Sequence, residues 1–303
     1  MELLKLLESI RIPGLNELML AITYLGDEIA FLVIALILYW CVDKKRGYYV
    51  MSVGFVGTIA SQFMKLWFRI PRPWVQDPNF TILEQAREGA GGYSFPSGHS
   101  QSSVGTFGSM AATEKCSWLK WVYIAICILV PFSRMYVGVH TPLDVTVGSL
   151  IAVVLVFALK PIFYKNDGKY FPWLIGFMTV IAIGYLCYVE FFPFPADVDA
   201  HNLESGTKNA YTLLGCLLGL IVAYTVDVKW VKFQVKAVWW AQILKVLGGL
   251  VVVLAIKEGL SAPLASLFGY FPGRLVRYFL IVVVAGCVWP LTFRFFGNLG
   301  VKE

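Results

Sequence analysis

Long apolar runs separated by short charged or proline-rich breaks dominate the chain. Read between those breaks, the pattern predicts membrane-spanning helices at about 22–42, 48–68, 98–113, 119–138, 142–162, 171–191, 209–226, 238–257 and 275–296. Most of these runs approach the roughly 20 residues that an α-helix needs to cross a hydrocarbon core of about 30 Å. Broken backbone cannot face lipid, so the expected fold is all-α: a polytopic transmembrane helical bundle of about nine spans. A β-barrel would show short alternating segments instead. Two of the nine depart from the pattern. The 98–113 run is short and polar, and Lys245 interrupts the run at 238–257.

Composition agrees with the pattern. The 303 residues are 58% hydrophobic and 15% charged, with a mean hydropathy of +0.70, whereas a soluble domain carries about a quarter of its residues charged. The opening MELLKLLESIRIPG has acidic residues and no sustained apolar core with a small-residue cleavage site, which argues against a cleavable signal. It reads as a short amphipathic helix on the membrane surface. Six scattered cysteines without CxxC spacing indicate neither a disulfide framework nor a zinc site. The net charge of +6 is what span-flanking cations produce, so the partner implied is the lipid bilayer and not a nucleic acid.

The loops DKKRG, TEKCSWLK, KPIFYKNDGK and DVKWVKFQVK and the tail GNLGVKE fall on one side of the nine-span arrangement. Together with Arg294 they hold about half of the Lys and Arg, which marks that side as cytoplasmic. The amino terminus and the acidic EFFPFPADVDAHNLESG then lie on the other side, and the carboxyl terminus is cytoplasmic. Polar, chemistry-bearing residues concentrate before about residue 165. This suggests a six-span core over 1–191 and a three-span extension over 192–303, within one membrane domain.

Three polar stretches interrupt the apolar pattern at the extracytoplasmic ends of spans. KLWFRIPRP places Lys65 and Arg72 seven residues apart, so that a helix continuing that far would put both cations on one face. A snorkelling girdle that includes Arg69 accounts for the same residues. In FPSGHSQSSVG, Pro96 suits the first turn of a helix, Ser94 or Ser97 can cap it, and Gly98 lets the backbone approach a ligand. The free N–H groups of such a terminus bind anions, and His99 sits just inside it; an ordinary capped entry with an interfacial histidine is the alternative. SRMYVGVHTPLD brings Arg134 and His140 together across a break. There Thr141, Pro142 and Asp144 make a capping box, and Asp144 also lies one turn from His140.

The conjunction is more specific than its parts. Lys-x6-Arg-Pro, Pro-Ser-Gly-His and Ser-Arg-x5-His-x3-Asp follow in that order, and charge at span ends is functional by default. In this the sequence resembles the type 2 phosphatidic acid phosphatase (PAP2) superfamily of integral membrane phosphatases. The resemblance implies that Lys65, Arg72, Ser97, Gly98 and Arg134 hold a phosphate group and that His140 attacks phosphorus to form a phosphohistidine. It further implies that Asp144 orients His140, and that His99 protonates the leaving oxygen and then assists water. One histidine must start neutral and the other protonated, which implies a bell-shaped pH profile. Three fixed cations take the place of a metal, so no cofactor is expected and activity should survive EDTA.

The substrates implied are lipid phosphates at the extracytoplasmic face of a bacterial cytoplasmic membrane: phosphatidic acid, phosphatidylglycerol phosphate or undecaprenyl diphosphate. A soluble phosphate ester is an alternative within the family. From another class, a lipid or phosphate transporter could use the same cationic pocket, with Lys245 on its path. The stretch WVQDPNFTILEQAREGAGGY reads as a lid hinged at Gly91 and Gly92, or as a surface connector. Asp27 and Glu28 near the first span could balance the cationic site.

Overall fold

The structure, a computed structural model, describes residues 1–299; the end of the tail assigned above to the cytoplasmic side lies outside the described residues. The described residues contain helices and no strand. The helices are α1 Glu2–Ser9, α2 Pro13–Thr23, α3 Glu28–Ile37, α4 Lys44–Phe68, α5 Pro73–Gln76, α6 Gly98–Thr113, α7 Ser117–Tyr136, α8 Pro142–Tyr164, α9 Phe171–Phe191, α10 Ala200–Val226, α11 Trp239–Gly259, α12 Ser261–Phe268, α13 Tyr270–Val283 and α14 Phe293–Asn298.

Six segments are long and apolar enough to cross a membrane: Ser117–Tyr136, Pro142–Tyr164, Phe171–Phe191, Ala200–Val231, Trp239–Gly259 and Tyr270–Asn298. The count becomes seven if Pro13–Tyr24 and Glu28–Val42, bent by 53° at their junction, form one span. The expectation of nine is therefore not met in full. The runs at 48–68 and 98–113 are helical as expected, but α4 carries too much polarity and α6 is only 16 residues long. The spanning helices present large apolar side chains outward, among them Phe157, Trp173, Phe191 and Trp239, as an integral membrane protein must. Trp118, Trp121, Trp173, Trp230 and Trp239 are exposed beside the lysine-rich loops, where an indole can place its ring in lipid and its N–H in the headgroups.

The chain divides into two compact units. The first comprises Met1–Leu32, Tyr49–Lys165 and Pro193–Gly206; the second comprises Val33–Tyr48, Asn166–Phe192 and Thr207 onward. In the first unit α6 packs against both α7 and α8. This explains its polarity: Ser100, Gln101, Ser103, Thr106 and Ser109 all turn inward and are buried. The helix α1 buries Leu4 and Leu7 against protein and leaves Leu3 and Leu6 exposed. Arg11, just after it, donates to the carbonyls of Tyr136 (3.0 Å) and Thr81 (2.9 Å), and Lys5 pairs with Asp77 at 2.8 Å. The opening segment thus straps the 73–92 connector to the end of α7.

The second unit is knotted around Lys245, which does not interrupt α11. Its ammonium is fully buried and donates to the carbonyls of Trp40 (2.9 Å) and Val235 (3.0 Å) and to Gln242 Oε1 (2.9 Å), with the Phe293 ring centroid 4.2 Å away. Three N–H donors meet three acceptors, which is what a buried ammonium requires. The widened turns Leu38–Val42 and Val284–Val288 are joined by Tyr39 Oη to the Gly286 carbonyl and by Trp40 Nε1 to the Ala285 carbonyl, each at 2.9 Å.

Candidate active site

Helix ends of the first unit position the polar stretches. Lys65 lies in the last turn of α4, which ends at Phe68, before Arg72. Arg69 then takes a left-handed φ of 50°, and Arg72 precedes the short α5. The single helical face expected for Lys65 and Arg72 is therefore absent, and a turn brings them together instead. At α6 the cap is Ser97, whose Oγ accepts from Ser100 N at 3.3 Å and from Ser100 Oγ at 2.9 Å. Its own hydroxyl proton is left for another acceptor. Pro96, expected in the first helical turn, lies just outside it because the helix starts at Gly98. The capping box at α8 is present as read: Asp144 N donates to Thr141 Oγ1 (3.3 Å) and Thr141 N to Asp144 Oδ2 (2.8 Å). The α6 and α8 termini meet through Ser97 N and the Asp144 carbonyl at 3.0 Å. Gly148 permits this approach, since a Cβ there would stand 2.5 Å from the Ser97 carbonyl oxygen.

The side chains form one buried constellation. His140 Nε2 is 2.8 Å from Arg72 Nη1, and His140 Nδ1 is 3.4 Å from Asp144 Oδ2. A guanidinium only donates, so Nε2 carries the lone pair and the proton of the neutral ring resides on Nδ1, toward Asp144. Ser94 Oγ donates to the same Asp144 Oδ2 at 2.6 Å. Arg72 is further held by the carbonyls of Val139, Gly91 and Gly92 at 2.9–3.1 Å. The two expected hinge glycines therefore fix a cation, and Gly92, with φ of 72°, adopts backbone that favours glycine. Lys65 Nζ donates to the Tyr93 carbonyl. Arg134 Nη1 donates to Thr23 Oγ1 at 2.9 Å, while its Nε and Nη2 are buried without a partner. His99 Nε2 lies 3.9 Å from Asp27 Oδ2.

Lys65, Arg72, Arg134, His140 and Asp144 are each at most 5% exposed, and the charges of Lys65, Arg72 and Arg134 act on both histidines. Burial pulls the Arg72 guanidinium down to about 10, which still leaves a cation at neutral pH. Three buried cations thus face one buried carboxylate. Like charges out of water repel strongly, so the cluster is suited to a multiply charged anion with several acceptor oxygens. Among the described residues, no three His, Cys, Asp or Glu side chains stand together as metal ligands would.

The structure therefore brings Lys65, Arg72, Ser97, His99, Arg134, His140 and Asp144 to neighbouring helix ends, with Gly98 opening α6 beside them. Sequence reading missed Thr23, which supports Arg134 from 111 residues away and belongs to no motif. It read Ser94 only as a possible cap, whereas Ser94 holds the carboxylate of Asp144.

Comparison with known proteins agrees with this geometry. Residues 45–167 match the PAP2 superfamily model, and residues 211–300 match the model for the transmembrane extension of PAP2 superfamily phosphatases. An undecaprenyl-diphosphatase of Sulfolobus acidocaldarius is 31% identical over 153 residues, covering 50% of this chain and 71% of that protein. Phosphatidylglycerophosphatase B of Bacillus subtilis is 30% identical over 164 residues, covering 50% of this chain and 76% of that protein. A Bacillus subtilis undecaprenyl-diphosphatase is 29% identical over 114 residues, covering 38% of this chain and 55% of that protein. No solved structure gives a significant match. With two relatives covered over more than two thirds of their length and the signature residues gathered at one end of its first unit, this chain belongs to the PAP2 superfamily.

Proposed function

We propose that the chain is a metal-independent lipid phosphatase that works through a phosphohistidine at the extracytoplasmic face of a bacterial cytoplasmic membrane. The observation that carries this reading is the buried cluster of Lys65, Arg72 and Arg134 around His140 and Asp144. Phosphoryl transfer consists largely of positioning and charge stabilisation, and three fixed cations supply both.

In this reading Lys65, Arg72 and Arg134 take the phosphate oxygens, with the unpartnered Nε and Nη2 of Arg134 as the fork. The Ser97 hydroxyl and the Gly98 N–H add hydrogen bonds. A Cβ on Gly98 would touch nothing within 4 Å, so the space beside its N–H is open to a ligand. His140 Nε2 attacks phosphorus, and the P–O bond to the leaving group breaks. His99 gives that oxygen its proton, and Asp144 stabilises the positive charge that develops on His140. Water then attacks the phosphohistidine, losing a proton to His99, and the P–N bond breaks to release phosphate.

A lipid substrate is supported by a groove of about 370 Å³ on α7 and α8, lined by Pro131, Val145, Thr146, Ser149, Leu150 and Val153. Its lining includes Val145, which follows Asp144 in the chain, and Pro131, three residues before Arg134, and its apolar surface suits a lipid tail. Phosphatidic acid, phosphatidylglycerol phosphate and undecaprenyl diphosphate fit this chemistry. Counting the α2–α3 pair, α4 and α6 with the six apolar helices gives nine spans. Residues 1–191 are then the catalytic core and 192–303 an extension.

The test is phosphate release by detergent-purified protein in EDTA, offered these three lipids and glucose 6-phosphate, with His140→Ala as control. Release from a lipid that the variant abolishes is the expected result. Labelled lipid carried across vesicles without phosphate release would favour transport instead.

A further inference from the structure

The break between α2 and α3 supplies a fourth part of the site. Gly26 lies so close to the start of α6 that a Cβ on it would stand 2.8 Å from the His99 carbonyl oxygen. Thr23, three residues earlier, holds Arg134. Asp27 follows Gly26, with Oδ1 capping α3 by accepting from Ile29 N at 2.8 Å and Oδ2 facing His99 Nε2 at 3.9 Å. The other charged groups that face His99 are Arg134 on α7, Arg72 in the turn after α4, and Lys65 on α4, with neutral His140 beyond them. The connector over the imidazole presents Gly89, whose Cβ would lie 3.6 Å from Nε2; Glu88 is exposed and Arg87 is paired with Glu84 at 2.6 Å.

A general acid must begin the reaction protonated, yet three fixed cations disfavour a further positive charge beside them. Asp144 is already engaged by His140, Thr141 and Ser94. Resting on the phosphatase reading above, we propose that Asp27 is the positioning residue for the acid step: its carboxylate holds the Nε2–H of the His99 imidazolium, so that Nδ1–H delivers the proton. As the P–O bond breaks, the Nδ1–H bond breaks and its proton passes to the leaving oxygen. The ring becomes neutral with Nε2–H still on Asp27, and Nδ1 is free to take a proton from the attacking water. The two histidines are thus paired with carboxylates in opposite senses, Asp144 supporting the nucleophile and Asp27 the acid.

Leaving-group dependence tests this. An alkyl phosphate needs its departing oxygen protonated, whereas p-nitrophenyl phosphate does not. Asp27→Asn keeps the amide-oxygen cap on Ile29 and replaces the anionic acceptor that faces His99 with an uncharged NH2 donor. It should lower kcat about 30-fold or more on phosphatidic acid and less than about 3-fold on p-nitrophenyl phosphate, within the range general acids contribute. Its alkaline pH limb should move down by about one unit. Asp27→Glu should restore much of the loss, and adding Asp27→Asn to His99→Ala should cost nothing further. Equal losses on both esters, or no loss on phosphatidic acid, would overturn the proposal. A wild-type protein that hydrolyses neither ester overturns the phosphatase reading and this proposal with it, a result distinct from selective failure of the variant.

Discussion

Asp144 Oδ2 receives Ser94 Oγ at 2.6 Å and Thr141 N at 2.8 Å, with His140 Nδ1 at 3.4 Å, so the oxygen that closes a helix cap also faces an imidazole nitrogen. Ser94→Ala removes one of the bonds that fix that oxygen. The expected cost is about 1 kcal/mol, a factor of about 5 to 10 in kcat with KM little changed. Steady-state kinetics on a lipid phosphate would show it, and a rise in KM at constant kcat would place Ser94 on the substrate instead. The candidate residues that sequence reading named share a property: Lys65, Arg72, His99, Arg134, His140 and Asp144 are costly groups at span ends and so stand out by type. Thr23 does not. A threonine at the end of an apolar helix is ordinary, and only the fold reveals that Arg134 needs its hydroxyl.

At the scale of elements, the site depends on the approach of the α6 and α8 termini. Gly148 lets Ser97 and Asp144 meet, and Ala in its place would drive a methyl group into the Ser97 carbonyl at 2.5 Å. Gly148→Ala should therefore destabilise the first unit by about 1–3 kcal/mol and depress activity by displacing the Ser97 cap. Thermal unfolding with an activity assay checks both, and a variant as stable and active as wild type would refute the packing argument. Element boundaries were read less well than element positions. The α4 helix ends before the turn that carries Arg72, and Pro96 stays outside α6, because caps and local turns decide termini while apolar periodicity decides only that a helix exists. The polar α6 was a weak span by sequence. Its neighbours explain it, since α7 and α8 bury the serines that lipid would not accept.

For the whole molecule, the sequence marked a membrane bundle clearly, because mean hydropathy and run length report on solvent directly. The span count was less secure, since a helix packed inside protein and one facing lipid need different compositions. Lys245 illustrates this. By sequence it suggested a transport path, yet its three hydrogen bonds and the Phe293 ring give it a structural role in the second unit. Lys245→Met would strand three acceptors and should cost about 2–4 kcal/mol of stability, while phosphate release per folded molecule stays near wild type. A normal melting temperature with lost turnover would return Lys245 to the functional pathway.

A nucleophilic His140 carries the phosphoryl group between the two steps, so the phosphorylated protein can be trapped. Protein mixed with ³²P-labelled lipid phosphate and quenched in alkaline detergent should carry label that survives base and is lost in acid. The label should be absent from His140→Ala, and in His99→Ala, which lacks both the acid for the first step and the base for the second, it should form and decay slowly. Hydrolysis in the wild type without any such label, or label retained in His140→Ala, would contradict the account.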